Sequence, residues 1–164
     1  MDMLKIETGD KNEILRTVSR KIKDSEIKKY SKLWKEMIKY IKNPDNGWVW
    51  LAAPQIGHNV ILIVVWLPHD RDDENYKIIM MINPEIIEFS DEKETDQEWC
   101  LSVPGKKWEV ERALDIKLTY LDEKGHFKTL MLEHLRARIV QHEIDHLNGI
   151  LFTDKLAQNN KKFL

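Results

Sequence analysis

The chain has one cysteine, Cys100, in 164 residues. A single thiol closes no intrachain disulfide, and a fold without cross-links fits a reducing compartment. Long apolar runs are absent as well. The longest, residues 60–67, has the length of a strand, far below the ~20 residues that a membrane-spanning helix needs. The opening MDMLKIETGDKNEILR holds no apolar stretch of the signal-peptide kind, so neither a leader nor a membrane partner is expected. Neither sign of charge dominates. The 26 Lys and Arg face 28 Asp and Glu, a net −2, which gives no electrostatic case for direct nucleic-acid binding. No segment rich in Pro, Gly or Ser divides the chain. With 42% hydrophobic and 33% charged residues, one soluble domain over residues 1–164 is expected. Glycine is scarce too. Ordinary usage would give roughly 11, whereas the chain has 6, beside 6 tryptophans.

What is present has clear periodicity. Ile27, Tyr30, Leu33, Trp34, Met37, Ile38 and Ile41 share one face of a helix predicted over 25–41, which Asn43, Pro44 and Gly47 end. Residues 60–65 and 77–82 read as buried strands flanking a charged loop at 68–75. Asn83-Pro-Glu leads into 86–89, residues 115–121 alternate, and Glu123-Lys-Gly-His turns the chain into a hairpin partner at 127–132. Helical spacing returns at Leu135, Ile139, Val140, Ile144 and Leu147 until Asn148-Gly149 ends it. This order has too few crossover helices for a parallel sheet. The expected class is α+β.

The stretch richest in chemistry is Gln141-His-Glu-Ile-Asp-His146. His142 and His146 lie four apart on the second predicted helix, so both rings project from one face and can share a metal ion. Glu143 can serve a metal-activated water as general base. Asp145 fits a supporting or solvated position better than a ligand. A catalytic metal site usually has three protein ligands and an open position. No His or Glu follows His146, so the third ligand is sought upstream, where Cys100 in Glu98-Trp-Cys-Leu-Ser102 is the soft donor available. Ile56, Leu135 and Ile139 are expected in apolar wall or core. His58, His69, His126 and His134 are expected in solvent.

At these residues the sequence resembles the peptide deformylase family. Its three motifs stand here, in order, as Trp48-Val-Trp-Leu-Ala-Ala-Pro-Gln55, Glu98-Trp-Cys-Leu-Ser102 and Gln141-His-Glu-Ile-Asp-His146. The likeness extends to Ile14-Leu-Arg, Ile82-Asn-Pro, Val103-Pro-Gly and Val110-Glu-Arg112, nearly the whole chain. The resemblance implies antiparallel sheets around a C-terminal metal-binding helix, with an N-terminal helix. It implies hydrolysis of the N-formyl group from the first methionine of new polypeptides, in a cytoplasmic monomer of bacterial type or its organelle or phage equivalent, working near the ribosome. Cys100, His142 and His146 would hold one divalent metal, Fe(II) by preference, with Zn, Ni or Co as substitutes. Glu143 would carry the proton. Gln55 and the Leu101 N–H would meet the developing oxyanion. Glu98 and Arg112 would form a supporting ion pair.

The chain departs from those motifs in one direction. Trp48, Trp50 and Trp99 stand where the motifs have glycine, and Trp108 where many relatives have it. Indoles at 48, 50 and 99 would crowd the backbone approach of a substrate, since glycine serves where a ligand passes close to the main chain. One reading accounts for all four together with the missing glycines: UGA codons meant as glycine and translated as tryptophan. In the other reading the indoles are genuine, and the chain is an impaired deformylase-like protein that binds metal or peptide. A general HExxH metallopeptidase is a further alternative, disfavoured by the upstream cysteine.

Overall fold

The computed structural model describes residues 4–47, 49–68 and 77–155. Trp48, His69 and all of the expected 68–75 loop but Pro68 lie outside the described residues. In chain order the elements are α1 (Glu13–Arg16), α2 (Ser31–Lys42), β1 (Leu51–Ala52), β2 (Leu62–Leu67), β3 (Lys77–Phe89), β4 (Lys93–Cys100), β5 (Val103–Ala113), β6 (Asp115–Leu121), β7 (Phe127–Glu133) and α3 (His134–Leu147). Two antiparallel sheets result, one of five strands in the order β1-β2-β3-β6-β7 and one formed by β4 and β5. The expected α+β class is the one observed.

β2 is buried along its whole length because its two faces meet two different helices. Leu62, Val64 and Trp66 face a core shared with Leu33, Trp34, Met37 and Ile41 of α2. Ile63, Val65 and Leu67 face a second core with Ala137, Ile139, Val140 and Leu147 of α3. The run Leu-Ile-Val-Val-Trp-Leu is therefore what a strand covered on both sides requires. Helix, sheet and helix make three layers.

Two elements differ from the periodicity. The helix expected over 25–41 begins as a 3₁₀ helix, Asp24–Tyr30, and turns into α2 only at Ser31. Glu26 folds back to accept a hydrogen bond from the Lys23 N–H at 3.1 Å. Tyr30, with φ −88° and ψ 3°, breaks the ladder between the two segments. The strands expected at 77–82 and 86–89 are one strand, β3, whose register against β6 shifts between Ile82 and Glu85. Asn83 makes that shift possible. Its φ of 50° is tolerated by a short polar side chain, which binds both the N–H and the carbonyl of Ile22 at 2.9 and 2.7 Å.

The hairpin of β4 and β5 was not marked by apolar periodicity. Its inward positions include Glu98, Cys100, Val110 and Arg112, so charge takes the place of the usual hydrophobic alternation. The end of α3 is fixed by Gly149. Its φ is +70°, and a Cβ there would come within 2.5 Å of the Arg16 carbonyl oxygen, so only glycine lets the helix stop against the α1 segment. Arg16 then grips the chain beyond through a two-pronged ion pair with Asp154.

Candidate metal centre

β4 delivers its functional side chains by strand alternation. Glu98 and Cys100 lie two apart and point inward, while Trp99 between them is 40% exposed. Leu101 and Ser102 turn the chain, and Val103 pairs back to Cys100. Cys100 thus sits at the closed end of the hairpin. α3 supplies Arg138, His142 and His146, each four residues from the next, so one face carries all three. Gln55 comes from the short 3₁₀ turn Ala53–Ile56.

These elements bring Cys100, His142 and His146 together, with their donor atoms all within 4.8 Å of one another and all three residues buried. Cys100 Sγ lies 3.2 Å from His146 Nε2. His142 Nδ1 is 2.9 Å from Glu98 Oε2, which leaves Nε2 of that ring for a metal, a carboxylate–histidine arrangement common behind metal ligands. Gln55 is held by its own oxygen, which accepts from the Ala52 N–H at 2.8 Å. Its amide nitrogen faces Cys100 Sγ at 3.6 Å and Ser102 Oγ at 3.3 Å.

Behind the donors lies a buried ionic network. Arg112 meets Glu98 with two nitrogens and reaches Asp145 with a third at 2.7 Å. Arg138 donates to the same Glu98 at 2.9 Å and to the carbonyls of Val110 and Glu94. Lys155 approaches Asp145 at 3.2 Å. Burial alone would push the Glu98 carboxyl up, but the hydrogen bonds from Arg112 and His142 outweigh it and hold the group far below its ordinary range. Burial also opposes a charged His142, yet its contacts with Cys100 and Glu98 leave it raised. His146 is lowered by burial, with His142 and Arg112 adding repulsion.

Glu143 behaves in the opposite way to Glu98. It is fully enclosed, its Oε2 has no hydrogen-bond partner, and burial lifts its pKa to about 7. A thiol and two imidazoles suit zinc or iron, and three protein donors beside an unpartnered buried carboxylate oxygen match a catalytic site with an open position. The donor set fits a divalent cation.

The other expected site residues are distributed unevenly. Leu101 and Glu143 border the small space over the donors, and Leu135 and Ile139 line the larger cleft beside it. Ile56 belongs to the core on the α2 side and lines neither space. Trp50 and Trp99 line both. Trp108 packs edge-on against Phe152 at 6.0 Å, away from the cleft. His58, His126 and His134 are exposed. Arg138, and the role of Gln141 within its motif, were not foreseen from the sequence. Arg138 had a signal, its four-residue spacing ahead of His142. Gln141 ties α3 to β5 through paired bonds with the Ala113 N–H and carbonyl.

Comparison with known proteins gives one answer. A family model described as polypeptide deformylase matches residues 3–162. A peptide deformylase of Synechocystis sp. is 41% identical over 162 residues, covering 94% of this chain and 82% of the relative. Among solved structures, a Met-Ala-Ser-bound class I type b peptide deformylase of Acinetobacter baumannii superposes with TM-score 0.83 at 32% identity, covering 94% and 98% of the two chains. A probable peptide deformylase of Synechococcus phage S-SSM7 gives TM-score 0.80 at 39% identity, covering 93% and 99%. A fold, a donor set and a sequence match that all extend over nearly the whole chain leave one conclusion: this chain belongs to the peptide deformylase family.

Proposed function

We propose that the protein removes the formyl group from the N-terminal methionine of newly made polypeptides, as a single cytoplasmic domain acting as a monomer near the ribosome. The observation that carries this reading is the enclosed, partnerless Glu143 oxygen beside three converging donors, one thiol and two imidazoles. Cys100, His142 and His146 hold the metal, Fe(II) by preference, with Zn(II), Ni(II) or Co(II) as substitutes. When bound, a divalent cation supplies the Lewis acidity that makes water a nucleophile near neutral pH. Glu143, balanced at about pH 7 by burial, takes the proton and returns it to the leaving amine. The Gln55 amide, whose orientation the Ala52 N–H fixes, and the Leu101 N–H donate to the oxygen that gains charge. Glu98, backed by Arg112 and Arg138, holds His142 in the tautomer that ligates through Nε2.

The test is formate release from a formyl-Met tripeptide after anaerobic loading with Fe(II), repeated with Ni(II). Turnover of the formyl peptide without cleavage of an unformylated protein supports the reading. Cleavage of the unformylated protein would instead indicate a general metallopeptidase.

A further inference from the structure

We propose that Trp50 and Trp99 determine how readily ligands reach the Cys100, His142 and His146 donors, and that with both indoles in place water and very small ions enter freely while a peptide substrate binds far more weakly than glycine at those positions would allow. The inference rests on the deformylase reading for what the restricted substrate is, but not for the restriction itself. Two spaces adjoin at the site. One is a cleft of about 490 Å³ bordered by Trp50, Trp66, Trp99, Leu135, Ile139 and His142, among others. The other, over the donors, is about 10 Å³ and is bordered by Trp50, Gln55, Trp99, Cys100, His142 and Glu143, among others. A void of ~10–15 Å³ is about what one water molecule requires. The cleft has room for a side chain, and the space where the chemistry would occur has room for one water.

The two indoles common to both spaces are held differently. Trp50 is fixed. Its ring nitrogen donates to the Trp66 carbonyl at 3.1 Å, and its ring stacks on Trp66 with centroids 5.7 Å apart. Trp99 is anchored less firmly. It meets Trp50 at 6.4 Å with a 39° tilt and occupies the outward, 40% exposed position of β4. Backbone strain has no part in this. Among the described non-glycine residues only Asn83 and His134 have positive φ, so the main chain at positions 50 and 99 does not demand glycine. What they control is volume at the approach to the donors.

The test uses full-length protein loaded with Co(II), whose visible absorption reports ligand exchange at the metal independently of turnover. Four proteins are compared: the chain as written, Trp99→Gly, the double variant Trp50→Gly with Trp99→Gly, and Trp108→Phe as a control outside both spaces. Azide and a formyl-Met tripeptide are the probes. Azide is expected to shift the spectrum of all four. The tripeptide is expected to shift the spectra of the glycine variants at far lower concentration than that of the chain as written, with kcat/KM at least ~100-fold above the chain as written in the double variant, the scale that misplacement at a reacting centre produces. Trp99→Gly alone keeps the test open if loss of Trp50 prevents folding. Equal tripeptide binding by the chain as written and the glycine variants overturns the proposal, as does failure of azide to reach the metal in the chain as written. Tripeptide binding by the double variant without formate release would uphold the access role and remove the deformylase reading instead.

Discussion

The cleft has two walls built on opposite principles. On the wall of α3 and the β4–β5 hairpin, charge is buried and nearly every polar atom is paired: Glu98 meets Arg112, Arg138 and His142, and Asp145 meets Arg112 and Lys155. Across from it Trp50 and Trp66, joined by Trp99 from the outward side of β4, pack ring against ring, and Trp50 donates a hydrogen bond to the Trp66 carbonyl. Directional bonds between buried ions fix a single geometry, because breaking any one of them strands a charge. Stacked rings tolerate displacement, because their contacts are weak individually and not directional. The first wall therefore fixes the position of the reacting groups. The second sets how much space is left in front of them.

The contrast is broken most severely by removing Glu143, whose buried Oε2 the paired wall leaves without a partner. Glu143→Gln is expected to lower formate release by ~10²–10⁴-fold, the usual contribution of a positioned general base, with metal content by elemental analysis unchanged. Its effect on stability has the opposite sign. A carboxyl whose folded pKa lies near 7, above the ordinary 4.5, favours the folded state most below pH 4.5 and loses that contribution as pH rises through 7. In the metal-free protein, Glu143→Gln should thus be the more stable form above neutrality, by on the order of 3 kcal/mol, measured by denaturant titration.

Glu98→Gln tests the paired wall itself. It withdraws the shared partner of Arg112, Arg138 and His142. The expected loss is ~3–5 kcal/mol of stability, with metal affinity weakened ~10–100-fold because His142 loses its orienting carboxylate. Here the pH sign is reversed. The Glu98 pKa is depressed by its partners, so its contribution is present above the ordinary 4.5 and fades as pH falls below it. The variant should lack this acid-side decline.

Smaller effects are expected from the aromatic wall. Trp66→Phe, which keeps a ring against Trp50, should cost only ~0.5–1.5 kcal/mol in thermal or denaturant unfolding. A loss as large as that of Glu98→Gln would mean that the stacked wall is as rigid as the ionic one. The gene makes a separate statement about this wall. If tryptophan stands for recoded glycine, codons 48, 50, 99 and 108 are UGA, and finding UGG at those codons ends that explanation.

The same division explains how much could be read from the sequence. β2, β6, β7 and both long helices were visible because their burial is apolar and follows a regular period. His142, Glu143 and His146 were visible because α3 turns a four-residue spacing into a shared face. The hairpin was not visible as secondary structure. Lys-Glu-Thr-Asp-Gln-Glu-Trp-Cys has no hydrophobic alternation, since the residues it sends inward are an ion-pair carboxylate and a thiol. Its pairing becomes intelligible only when Arg112 and Arg138 are seen arriving from β5 and α3. Asn83 was hidden for another reason. Asn-Pro reads as the end of a strand, and only its bonds to Ile22, 61 positions away in the chain, show why the strand continues through it.

The place of Cys100 at the closed end of that hairpin has a consequence for the unfolded chain. A cation gripped by Cys100 and His142 ties together two points roughly 40 residues apart, and a link of that span restricts a disordered chain by about 4 kcal/mol in the chain-entropy model. A protein with one cysteine can form no disulfide of its own. Its metal can serve as a removable fastener in that place, joining hairpin to helix whenever the ion is bound.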